Sequence, residues 1–67
     1  METKKEIAEK ITKEIENVIL KRKEIAVRYY TTNDSIERIS LGVEYDILQG
    51  KYEGLITAYD ILIGYHR

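Results

Sequence analysis

Lys21, Arg22 and Lys23, with Arg28 two helical turns beyond the first of them, form the densest positive charge in the chain. Cations of this kind bind phosphate, and tyrosines nearby can stack bases, so this is the place where a nucleic-acid contact is chemically conceivable. Three consecutive cations point in different directions around a helix, and Glu24 follows them directly. The sequence pI of about 5.8 is far from the strongly basic value of a nucleic-acid binder. The cluster therefore reads first as solvated charge. A nucleic-acid-associated regulator using Lys21, Arg22, Lys23 and Arg28 is the alternative.

Candidates for catalysis are sparse. Asp46 and Glu53 stand seven residues apart, a spacing that puts two carboxylates on one flank of a helix without a base or nucleophile beside them. Cysteine is absent and His66 is the only histidine, which excludes disulfides, thiolate nucleophiles and thiolate metal sites. Gly42, Gly50, Gly54 and Gly64 are scattered and do not form a phosphate-binding turn. The expectation is a protein without catalytic residues, metal, cofactor or small-molecule substrate.

The elements that hold these residues are clearer than any chemistry. Leu41, Leu48, Leu55 and Leu62 recur every seventh residue, and Tyr45, Tyr52 and Tyr59 follow the first three by four. Alternating steps of four and three lay one apolar seam along an α-helix. A period of seven has no meaning on a strand of period two, so a β reading fails. In the first half, Ile7, Ile11, Ile15, Val18, Ile19, Ile25, Ala26 and Tyr29 recur on one side, with Arg22 occupying the seam between Val18 and Ile25. Arg22 is expected to snorkel or to pair with a carboxylate such as Glu44 or Asp46.

Thr3 with Glu6 matches a capping box. Thr31 to Ser35 is a polar cluster whose side chains favour caps and turns, and proline is absent. The reading is a single all-α domain over residues 1–67: helix one about 4–29, a turn about 30–34, and helix two about 35–63. So short a connection makes the two helices an antiparallel hairpin. The leucine–tyrosine register passes through Gly50 without a slip, which predicts an unbroken helix there; a helix end at Gln49-Gly50 is the competing reading.

Helix two also carries a second apolar set, Val43, Ile47, Gly50, Gly54, Ala58 and Ile61, on nearly the opposite side from the leucines. A helix with two apolar stripes needs two partners, and helix one covers one of them. Gly50 and Gly54 each cost about 1 kcal/mol relative to alanine in a helix interior, and together they open a groove that another backbone can approach. At 67 residues the core is close to the lower limit for a lone domain, so oligomerisation is the remaining source of stability. The expected architecture is a homodimeric four-helix bundle. The expected function is a non-enzymatic, self-associating protein-interaction module, with room for a larger protein partner. Tyr45, Tyr52 and Tyr59 join the second stripe as candidate contacts because tyrosine suits an interface rim.

Two local resemblances add to this. Ile19 to Val27 resembles the first-helix segment of the helical chorismate mutases, which are dimers of intertwined helices. That resemblance implies an enzyme converting chorismate to prephenate, yet it sets Lys23 where the family has a catalytic arginine and Glu6 where another arginine belongs. Gly50 to Leu62 is similar to the closing helix of small helical proteins from phages and mobile elements of Gram-positive bacteria, which implies a short host-directed regulator or inhibitor that acts by binding. The first residues lack an apolar signal segment and Leu55 to Tyr65 is too short to span a bilayer, so a cytoplasmic protein without membrane contact is expected.

Overall fold

A computed structural model describes residues 3–64 as two helices, α1 (Lys4–Thr31) and α2 (Ser35–Ile63), joined by three residues. Each helix starts where a side chain accepts from the amides that a helix leaves unpaired. The Thr3 hydroxyl accepts from the amide of Glu6 at 3.2 Å and donates to the Glu6 carboxylate. The Asp34 carboxylate accepts from the amides of Ile36 and Glu37 at 2.9 and 3.2 Å. Gly64 ends α2 with φ of 73°, a left-handed conformation that glycine reaches without a steric penalty.

The helix α1 runs two residues beyond the expected Tyr29 because the Thr31 hydroxyl turns back to the Val27 carbonyl at 2.9 Å, while Thr32 caps the helix through Arg28. The turn is then drawn tight. Arg38 donates to the Thr32 carbonyl at 2.8 Å, the Thr32 hydroxyl donates to Glu37 at 3.2 Å, and Arg28 pairs with Glu37 at 3.3 Å.

Cross-contacts run in opposite order along the two helices: Arg28 with Glu37, Arg22 with Gln49, Glu14 with Lys51. The hairpin is therefore antiparallel, as its short connection predicts. Its seam is formed on α1 by the Ile7, Ile11, Ile15, Val18, Ile25 row and on α2 by the leucine–tyrosine repeat, all shielded except Tyr45. The helix passes through Gly50 and Gly54 without a break. Packing of the repeat on both sides of the glycines outweighs their propensity penalty.

The core is thin. Among the described residues only Val18 and Leu41 are buried, at 1 % and 3 % exposure. The molecule measures 48 × 22 × 16 Å, with a radius of gyration of 15.2 Å where a compact domain of this length has about 11 Å. Among the described residues no helix is long and apolar enough to cross a membrane.

Candidate functional site

The residues proposed from sequence for anion binding do not form one surface. Arg22 turns into the seam, donates to the Gln49 side-chain oxygen and lies 4.5 Å from the centre of the Tyr52 ring. Neither Glu44 nor Asp46 meets it; the antiparallel register brings Gln49 and Tyr52, not a carboxylate, level with its position. Its Nε is buried without a hydrogen-bond partner. Arg28 is engaged at the turn by Glu37. Lys21 and Lys23 are both exposed, on different sides of α1. Two of the four cations are thus spent on holding the hairpin together.

The positions that the chorismate-mutase resemblance aligns are equally separated. Glu6 is engaged with its own helix cap, and Lys23 lies about 25 Å further along the same helix, so one chain does not bring them together. No group of three or more His, Cys, Asp or Glu side chains that could hold a metal ion occurs among the described residues. His66 lies outside them.

One open cleft of about 430 Å³ sits near the turn, lined by Ile25, Tyr29, Tyr30, Leu41 and Tyr45, with Asp46 at its edge. Tyr29 and Tyr30 meet edge to face at 5.4 Å, and Arg38 stands 5.6 Å from the Tyr29 ring centre. Its wall is aliphatic and aromatic with one carboxylate, Asp46, so it can shelter an apolar group.

The largest unexplained feature is the outer face of α2. Ile36, Ile39, Val43, Ile47 and Ile61 are 81, 71, 55, 65 and 75 % exposed. Gly50, Gly54 and Ala58 continue the same stripe, exposed as well. Five branched aliphatic side chains in line on one helix are more than the scattered apolar residues of an ordinary surface. The glycines deepen the problem. A Cβ built on Gly50 or Gly54 would meet nothing within 4 Å, so the hairpin itself has no steric use for either. By contrast a Cβ on Gly42 would already lie 3.9 Å from the Tyr29 ring.

Of the nine positions assigned from sequence to an interface, Val43, Ile47, Gly50, Gly54, Ala58 and Ile61 share this outer face. Tyr52 and Tyr59 are half-buried in the hairpin seam, and Tyr45 lies at its edge. The tyrosines fall there because each stands four residues after a seam leucine, one turn along the same side. Ile36 and Ile39 were missed. Their signal is a step of three and then four leading into Val43, which continues the stripe to the start of the helix.

No protein-family model, curated protein or solved structure matches this chain. The functional reading rests on the geometry.

Proposed function

We propose that this protein is a self-associating interaction module that acts by binding, and that its working surface is the outer face of α2. The exposed Ile36–Ile61 stripe carries this reading, and its size can be set against what folding leaves unburied. The chain exposes 5458 Å², whereas a compact monomer of 7.9 kDa exposes about 4,400 Å². The difference, about 1,000 Å², is spread over the whole elongated hairpin and is of the order that each partner buries in a standard stable interface, roughly 800 Å². A second copy supplies a partner of the right shape at no further genetic requirement, which makes the simplest product a dimer containing four helices.

Two helix glycines without an intramolecular use support the same reading. Each lowers helix stability by about 1 kcal/mol, a cost that close approach of a second backbone offsets.

Sedimentation equilibrium and light scattering test it directly. At micromolar concentration the expected mass is twice the 7.9 kDa of one chain. A well-folded monomer under those conditions, with no drop in helicity on dilution, overturns the proposal.

A further inference from the structure

The outer stripe of α2 has a symmetry that one hairpin does not use. From Ile36 through Ile39, Val43, Ile47, Gly50, Gly54 and Ala58 to Ile61 the steps are three, four, four, three, four, four, three. The series is the same read in either direction, and its midpoint lies between Leu48 and Gln49. Side-chain size is not symmetric about that midpoint. The half before it holds Ile36, Ile39, Val43 and Ile47; the half after it holds Gly50, Gly54, Ala58 and Ile61.

Resting on the self-association proposed above, we infer that two copies meet through α2 alone, antiparallel, with the twofold axis passing between Leu48 and Gln49. In that register Ile47 faces the partner's Gly50, Val43 faces the partner's Gly54, Ile39 faces the partner's Ala58, and Ile36 faces the partner's Ile61. The first three are a branched side chain against a glycine or alanine, and each pair occurs twice by symmetry. Across those three pairs large against small keeps the distance between axes even and fills the space over both glycines. The Cβ positions that are open at Gly50 and Gly54 are then where the partner's Ile47 and Val43 pack.

A parallel pair in register does the opposite. It stacks Ile47 on Ile47 and Gly50 on Gly50, so large pairs hold the axes apart within one turn of glycine pairs that leave a void. Charge does not choose between the two orientations, because both set one opposite-charge and one like-charge contact among Glu44, Asp46, Lys51 and Glu53. Size chooses.

The angle between the two faces of α2 decides the shape. At about 100° per residue the outer stripe is centred about 140° from the leucine–tyrosine seam. In a square four-helix bundle the two contacts of one helix are about 90° apart. The four helices here form an open row, with the two copies of α2 at its centre and each α1 on the outside.

The native chain has no cysteine, so introduced ones report alone. Ile39→Cys and Ala58→Cys are made separately, checked for helicity and for mass under reducing conditions, then oxidised singly and as an equal mixture. A disulfide needs Cα atoms within about 7 Å. In the inferred register residue 39 meets the partner's 58, while like positions are about 28 Å apart. The mixture is expected to cross-link at least tenfold faster than either variant by itself. Cross-linking of Ile39→Cys alone as fast as the mixture means a parallel pair and overturns the register. A stable dimer with no cross-link in any sample means that α2 is not the contact, and overturns the inference while leaving self-association intact. A monomeric native chain overturns both.

A second pair of variants needs no cysteine. Gly54→Val is expected to weaken association about tenfold or more by overfilling the contact. Adding Val43→Gly, which returns the same volume across the interface, is expected to recover most of that loss. Without recovery the register is wrong.

Discussion

The inner and outer faces of α2 belong to one helix and are built on different rules. The inner face advances by fours and threes, carries Leu41, Leu48, Leu55 and Leu62 with three tyrosines, and lies against α1. The outer face advances by threes and paired fours, mixes branched aliphatics with glycine and alanine, and faces solvent. On the inner face every side chain is large because the partner surface is an ordinary amphipathic helix. On the outer face three of the eight positions are small, and a Cβ on either glycine would meet nothing within 4 Å. Small residues in a helix are unfavourable unless another backbone comes close. The contrast teaches that one face supplies folding while the other is left uncovered by the hairpin, which is the face proposed above for association.

The comparison breaks hardest if the inner face proves dispensable. Leu41→Ala removes a nearly buried side chain, and its expected cost is about 2–5 kcal/mol. A hairpin with so thin a core has about 3–5 kcal/mol to lose, so urea unfolding monitored by far-ultraviolet dichroism should show the folded state largely gone. If helicity survives and association alone is lost, the roles of the two faces are reversed.

Gly54→Leu probes the outer face. It should raise the helical propensity of the isolated chain yet weaken association by about 1–3 kcal/mol through overpacking, read as a concentration-dependent melting temperature. Unchanged oligomeric state and unchanged melting temperature would mean that the Gly50–Gly54 groove takes no part in association.

Arg22 sharpens the account of the inner face. It is the one charged side chain in that seam row, held by Gln49 and the Tyr52 ring with its Nε unpartnered. Arg22→Met keeps the long apolar stem but gives up the donor to Gln49 and the cation over the Tyr52 ring, so thermal unfolding should shift downward by the equivalent of about 1 kcal/mol. Arg22→Ala, which also loses the stem, should shift it further downward. Equal effects of the two would mean that the stem contributes nothing.

The smallest expected effect lies at the turn. Asp34→Ala removes the acceptor for the first amides of α2 and should cost about 1 kcal/mol in urea unfolding, with association affected only through the folded fraction. A selective loss of association there would place the turn in the interface.

The pattern of residues made much of this legible. The heptad of leucines and tyrosines announced a long helix through Gly50, and the Thr3–Glu6 capping box and the polar Thr31–Ser35 cluster marked where the helices start. The second apolar stripe was visible as well from Val43 onward, whereas Ile36 and Ile39 stand in the first turns of α2, next to the polar turn. The fate of the cations was not legible. Arg22 reads as one member of a basic cluster, and only the register of the hairpin reveals that Gln49 and Tyr52 stand opposite it. Arg28 reads as free charge until the short turn brings Glu37 to it.

Periodicity and capping chemistry are local properties, because a helix repeats its geometry every few residues and a cap needs only its next three neighbours. They settled by themselves that this chain makes two amphipathic helices and that α2 has two apolar sides. Which side meets α1, which cations are consumed by that meeting, and which glycines are left with empty space above them depend on how one helix slides along the other. That register follows from packing between residues far apart in the chain, and only the folded hairpin decides it.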